Sequence, residues 1–105
     1  MSFLNRVHEA ARQKIIYTLH ALDEMNSESE LITVEDVRSV IFAGEIIEEY
    51  PQDKRGESCL MYGTTGNARP VHVVCAPKED YLAIITTYLP SSDKWEADLK
   101  TRKSP

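Results

Sequence analysis

The chain has 105 residues, 42% of them hydrophobic and 28% charged, which fits one small globular domain and excludes a disordered segment. Its longest apolar runs span only a few residues, whereas a membrane-spanning helix needs about 20. The net charge of −5 argues against a broad nucleic-acid-binding surface, because such surfaces cluster Lys and Arg, but it leaves room for a local basic patch.

The first predicted element is a long amphipathic helix over about residues 3–25. Its apolar residues recur at three- or four-residue spacing, and no Gly or Pro interrupts the segment: Leu4, Val7, Ala11, Ile15, Leu19, Leu22 and Met25. The opening segment 1–6 reaches Arg6 too early to hold the apolar stretch of a signal peptide, so we expect a cytoplasmic protein.

A polar loop over residues 26–30 should separate this helix from a second one, over about residues 34–43. Thr33 and Asp36 have the spacing of a capping box, in which the hydroxyl accepts from the third helical amide. Gly44 should end the helix, because glycine adopts the left-handed closing conformation without steric cost.

After Gly44 the apolar period changes to that of strands. Four strands are predicted, over about residues 45–50, 58–63, 70–76 and 81–89, followed by a polar tail at 90–105 that Trp95 pins to the core. The connecting loops are too short for parallel crossovers. We therefore predict a single α+β domain spanning residues 1–105, with two N-terminal helices packed on a four-stranded antiparallel sheet.

Cys59 and Cys75 lie in apolar, strand-like surroundings, which favours buried free thiols over a disulfide or metal pair. No Cys/His spacing suggests zinc. We therefore expect neither a metal site nor a cofactor.

Several segments, taken together and in order, resemble a known bacterial family. They are His20-Ala21-Leu22 with Met25, residues 31–37, residues 44–51, residues 69–74, residues 84–88, Pro90 and Trp95. This set resembles the domain-of-unknown-function 4258 family. The resemblance implies a fold similar to the RelE and BrnT ribonuclease toxins and a partner protein similar to an antitoxin. One position departs from the pattern, because Glu24 stands where the family commonly has Arg.

His72 is the first catalytic candidate, since it interrupts an apolar strand and imidazole titrates near neutral pH. The alternative is that His72 lies on the wetter face of the sheet, or that a neighbouring strand satisfies its hydrogen bonds. A four-residue hairpin loop over 77–80 would place His72 on the face of Ile85 and Thr87. A loop one residue longer or shorter would align it with Thr86 and Tyr88 instead, which we favour because the family motif includes both.

The remaining candidates are supporting groups. His20, late in the first helix, is a second acid or base, or else a surface side chain. Arg69 could contact a phosphate at the start of its strand, and Lys94 and Arg102 could do so from the tail. Tyr88 could donate to a phosphate or stack on a base, although a strand Tyr often serves packing alone.

These patterns lead to two hypotheses of different classes. The first is a metal-independent endoribonuclease of the toxin-antitoxin type, with His72, His20, Tyr88 and Thr86 in the active site and Arg69, Lys94 and Arg102 on RNA. The active imidazole should then stand in an open, cation-lined hollow. The second is a non-catalytic module that binds a partner protein through the same fold, and a homodimer joined by exposed strand edges is a further possibility.

Overall fold

The computed structural model describes residues 2–27 and 31–104, so part of the predicted loop at 26–30 lies outside the described residues. Within these residues the chain forms three helices and five strands. They are α1 (Phe3–Gln13), β1 (Ile15–Tyr17), α2 (Leu19–Met25), α3 (Val34–Ala43), β2 (Glu45–Tyr50), β3 (Ser58–Thr64), β4 (Pro70–Pro77) and β5 (Leu82–Tyr88). The α+β class is confirmed, but the sheet has five strands and is mixed.

The predicted long helix over 3–25 is wrong, because a short strand divides it. The backbone of Lys14 is extended, and Ile15 to Tyr17 then pair in parallel with β5. Thr18 starts α2 by accepting a hydrogen bond from the amide of Ala21. Two β-branched residues and a tyrosine favour this strand, and sheet pairing overrides the helical spacing of the apolar residues.

The division of the helix also changes which apolar side chains are buried. Leu19 and Leu22, both expected on the buried stripe, are 80% and 38% exposed. Ile16 on β1 is 44% exposed. Ala21 and Met25 take the inward positions of α2 instead. An apolar surface is therefore exposed beside the sheet edge.

The strand order is β1-β5-β4-β3-β2, with β1 parallel to β5 and the other neighbours antiparallel. One face of the sheet carries Val71, Val73 and Cys75, which share the main hydrophobic core with buried residues of all three helices. Because side chains alternate along a strand, His72 and Tyr62 point to the opposite face. That second face is where the C-terminal segment lies.

The start and end of α3 have different physical causes. Thr33 accepts from the amide of Asp36, and the Asp36 carboxylate accepts from the amide of Thr33, so the capping box is present. The predicted left-handed conformation of Gly44 is wrong, since its φ is −86°. Glycine is needed there because a Cβ atom would collide with the carbonyl oxygens of Tyr62 and Val40.

A β-bulge in β5 determines which of its side chains share a sheet face with His72. Pro77 pairs with Leu82 and Cys75 with Ile84, but Val74 pairs with Thr86, so Ile85 is the extra residue. Without this bulge His72 would lie opposite Thr87; with it, His72 lies opposite Tyr88. The favoured arrangement with Thr86 and Tyr88 is confirmed, although a bulge rather than the loop length produces it.

Cys59 and Cys75 are free thiols, and both are buried, as predicted. They lie directly opposite each other on β3 and β4, with 3.8 Å between their sulfur atoms. None of the helices within the described residues has the length and apolar character needed to cross a membrane.

Candidate functional site

The C-terminal segment, residues 90–104, folds into a compact unit that we call the strap. The amide of Glu96 donates to the carbonyl of Thr101 at 2.8 Å, and that of Lys103 donates to the carbonyl of Lys94 at 3.0 Å. Within this hairpin the Asp98 carboxylate accepts from the amides of Lys100 and Thr101. The strap therefore holds much of its own shape through local hydrogen bonds.

The strap covers the second face of the sheet. Trp95, which is only 2% exposed, meets the His72 ring edge-on at a centroid distance of 4.6 Å. Lys100 forms an ion pair with Glu45 of β2 at 3.1 Å. These contacts confirm that Trp95 anchors the tail, and they make the polar C-terminal segment part of the folded domain.

His72 is 0% exposed, so the expectation that its ring stands in an open hollow is wrong. The ring Nε2 lies 2.7 Å from the carbonyl oxygen of Leu99 and Nδ1 lies 3.3 Å from the Tyr88 hydroxyl. Since a carbonyl only accepts, Nε2 carries the proton and Nδ1 of the neutral ring accepts from Tyr88. Burial lowers the pKa of His72, although the Leu99 hydrogen bond and the Glu48 charge oppose this.

Beside the strap lies an open cleft of about 430 Å³, which we call the strap cleft. It is formed where α2, the end of β5 and the strap meet. Its lining residues are His20, Glu24, Thr86, Tyr88, Leu89, Ser91, Lys94, Trp95 and Arg102. Five candidates chosen from the sequence are among them: His20, Thr86, Tyr88, Lys94 and Arg102. His72 is not a lining residue, but it contacts two that are, Tyr88 and Trp95.

Two titratable side chains of α2 line the strap cleft. His20 and Glu24 are one helical turn apart, so they share a face of the helix. His20 is exposed and Glu24 half-buried, and within the described part of the chain neither side chain has a hydrogen bond or ion pair. Both groups are therefore free to meet a ligand in the cleft.

The two cations of the cleft differ in their partners. Lys94 has no ion pair among residues 2–27 and 31–104. Arg102 donates twice to Glu48, from Nε at 2.8 Å and from a terminal nitrogen at 3.1 Å, and lies 4.7 Å over the Trp95 ring. Lys94 thus offers an uncompensated charge, whereas that of Arg102 is neutralised.

Glu48 is held by two donors. Besides Arg102, the hydroxyl of Tyr50 donates to it at 2.5 Å. Burial alone would raise the pKa of Glu48, but the hydrogen bonds from Arg102 and Tyr50 outweigh it and leave the pKa below its ordinary value. Glu48 is therefore ionised whenever the fold is intact near neutral pH.

Arg69 does not belong to this site. Its guanidinium lies 2.9 Å from the Asp36 carboxylate and donates to the carbonyl of Leu31 at 3.0 Å. It thus joins the start of β4 to the start of α3, away from the residues that line the strap cleft. The structure does not bring Arg69 into the strap cleft, and its expected contact with a phosphate stays a prediction.

Some features of the cleft have little signature in the sequence. In the sequence, Glu24 is notable only because the family commonly has Arg at that position. Ser91 belongs to no recognisable motif. The sequence puts Glu48 in a solvated row of carboxylates on β2, yet it clamps Arg102. The one available signal is the i, i+4 spacing of His20 and Glu24. Among the described residues, no group of three or more His, Cys, Asp or Glu side chains is arranged to hold a metal ion.

These features define a small α+β domain whose sheet is closed on one face by helices and on the other by its own C-terminal strap. The profile of a family described as a domain of unknown function, DUF4258, matches residues 17–89, and the chain belongs to this family. The match ends before the strap. No curated protein and no solved structure matches the chain at a significant level.

Proposed function

We propose that this protein is a metal-independent endoribonuclease of the toxin-antitoxin type, related to the RelE and BrnT toxins, and that RNA is cleaved in the strap cleft. One observation carries the proposal: an exposed imidazole, an unpartnered carboxylate and an unpaired ammonium line the same cleft, on His20, Glu24 and Lys94. Metal-free RNA cleavage needs a base, an acid and a charge that stabilises the phosphorane.

The two groups on α2 divide the proton transfers. The Glu24 carboxylate takes the proton of the ribose 2′-hydroxyl, whose oxygen then attacks the adjacent phosphorus. The bond between phosphorus and the 5′-oxygen breaks, and the imidazolium of His20 gives its proton to that leaving oxygen. The products are a 2′,3′-cyclic phosphate and a free 5′-hydroxyl, with no oxidant, reductant or co-reactant consumed.

The other lining groups orient and stabilise the phosphate. The Lys94 ammonium neutralises negative charge that grows on the non-bridging oxygens. Tyr88 gives its own proton to Nδ1 of His72, so its hydroxyl oxygen can accept from a ribose hydroxyl but cannot donate to the phosphate. His72 is therefore a positioning residue in this proposal, since it fixes Tyr88 and the strap without touching RNA.

The test is cleavage of a 5′-labelled RNA in the presence of EDTA. Wild-type protein should give 2′,3′-cyclic phosphate ends, His20→Ala should lose about 100-fold or more in rate, and Lys94→Gln should lose about tenfold. Lys103→Gln is the matched control, because it removes one strap lysine that does not line the cleft. Intact RNA with wild-type protein, or full activity of His20→Ala, would overturn the proposal.

A second candidate function is a non-catalytic module that binds a small antitoxin-like protein, and the exposed apolar surface at β1 favours it. Ile16, Leu19 and Leu22 are exposed there, and in the sheet that the described residues form, β1 is an edge strand paired with β5. An added strand and an apolar side chain from the partner would cover both features. A homodimer through the same edge is the competing occupant.

Solution mass and growth assays separate these candidates. A homodimer doubles the mass of the purified chain, whereas a binding module stays monomeric until the neighbouring gene product is added. Leu19→Ser should weaken either complex without changing RNA cleavage. Induction of a ribonuclease should slow growth, and induction of a binding module should not.

A further inference from the structure

The strap cleft contains an arginine whose charge is already taken by a carboxylate of the same chain. Arg102 lines the cleft, whereas Glu48, which accepts two hydrogen bonds from the Arg102 guanidinium, is not among the lining residues. The two oxygens of Glu48 lie 2.8 and 3.1 Å from Nε and a terminal nitrogen of the guanidinium. The contact is therefore a bidentate fork.

A phosphate uses the same fork. Two oxygens of a phosphate group match two N–H donors of a guanidinium, as the oxygens of a carboxylate do. We propose that Glu48 is an internal competitor that occupies Arg102 in place of a ligand phosphate and so holds the strap cleft in a weak-binding state. The identification of that phosphate as part of RNA rests on the proposed function; the competition itself concerns any phosphate ligand.

Arg102 also has contacts that do not involve Glu48. Its backbone bridges to Trp95, and the Trp95 ring lies under its guanidinium at 4.7 Å. The neighbouring amide of Lys103 is bonded to the carbonyl of Lys94. Loss of the Glu48 charge should therefore free the guanidinium while the strap backbone stays in place.

Glu45 provides a matched control. It lies on β2 like Glu48 and forms an ion pair with a strap residue, Lys100, at 3.1 Å. Lys100 does not line the strap cleft. Glu45→Gln and Glu48→Gln therefore each remove one negative charge and one ion pair between strap and sheet, but only Glu48→Gln releases a cation into the cleft.

The experiment measures binding of inorganic pyrophosphate and of a 2′-O-methyl oligonucleotide, which cannot be cleaved. Glu48→Gln should bind both about three- to tenfold more tightly than wild type, since the Arg102 guanidinium is then free to pair with a phosphate. Glu45→Gln should stay within about 1.5-fold of wild type, and Glu48→Gln with Arg102→Gln should lose the gain.

The proposal is overturned if Glu48→Gln and Glu45→Gln change affinity equally, because the effect is then one of net charge. It is also overturned if Glu48→Gln binds pyrophosphate more weakly than wild type, binds none, or keeps its gain without Arg102. The ribonuclease proposal can fail separately. If Glu48→Gln binds pyrophosphate more tightly but no variant cleaves RNA, the competition between Glu48 and phosphate stands and the ribonuclease activity does not.

Discussion

The Nε2 atom of His72 lies 2.7 Å from the carbonyl oxygen of Leu99, so a residue of the central strand β4 donates directly to the strap. Trp95 covers the same ring edge-on. A histidine that interrupts an apolar strand is thus explained by its position under the strap. The same ring orients Tyr88, which lines the strap cleft.

Truncation of His72 should destabilise the fold and loosen the strap. We expect His72→Ala to lower the free energy of unfolding by about 2–4 kcal/mol, because it leaves a cavity and an unpaired Leu99 carbonyl. Urea denaturation gives the free energy, and Trp95 fluorescence reports the strap. His20→Ala, at an exposed position, should change stability by less than about 0.5 kcal/mol. Equal losses in the two variants would contradict the structural role.

Stability should fall as the pH drops below about 6.5. Burial lowers the pKa of His72 from its ordinary value of 6.5, so the unfolded chain binds more protons than the native chain between the two pKa values. The contribution of His72 to the free energy of unfolding is complete above its pKa in the unfolded chain. It is lost as the pH falls toward its pKa in the folded chain. Of the charged groups facing the ring, Glu48 opposes this shift and Arg102 reinforces it.

The pH effect is measured by denaturation between pH 7 and pH 5, above the range in which carboxylates titrate. His72→Gln, which keeps a side-chain amide but cannot titrate, should flatten the dependence in this window. A wild-type profile that is flat there, or a variant profile with unchanged slope, would show that another group is responsible.

Arg69 should contribute to stability and not to activity. Arg69→Gln removes the ion pair with Asp36, whose partners are part-exposed, and should cost about 0.5–1 kcal/mol. Any RNA cleavage rate should remain that of wild type, in contrast to Lys94→Gln. A tenfold loss of cleavage in Arg69→Gln with normal folding would return Arg69 to the site.

Gly44 should tolerate no side chain. Gly44→Ala places a methyl group against the Val40 and Tyr62 carbonyl oxygens and should cost about 2 kcal/mol or more, because backbone must shift. A Cβ atom added at Gly66 would meet no other atom within 4 Å, so Gly66→Ala should be nearly neutral. The comparison of the two melting temperatures tests whether close approach, rather than backbone conformation, requires glycine at 44.

Local chemistry in the sequence was sufficient for some of the fold. The capping box of Thr33 and Asp36 and the buried thiols depend on spacing and on nearby residue types. The break after Gln13 could not be predicted, because Ile15 fits the helical stripe and only pairing with Leu82 makes it a strand. The sequence therefore predicts one strand fewer than the sheet contains.

The candidate site likewise has features that the sequence predicts and features that depend on the tertiary structure. His20, Tyr88 and Lys94 can each be chosen from the sequence, but the cleft that joins them depends on a bulge at Ile85 and on the course of the strap. A bulge leaves little trace in sequence. The sequence does not predict the burial of His72, because Trp95 is the only aromatic residue in the polar segment that covers the sheet.

The most direct measurement is an NMR titration of the ¹⁵N-labelled protein with a short 2′-O-methyl oligonucleotide. We predict saturable shifts in α2, the end of β5 and the strap, and an affinity, read from His20 and Glu24, that Lys94→Gln weakens about tenfold. No saturable shift, or shifts confined to other surfaces such as the Arg69 region, would contradict the assignment of the strap cleft as the phosphate-binding site.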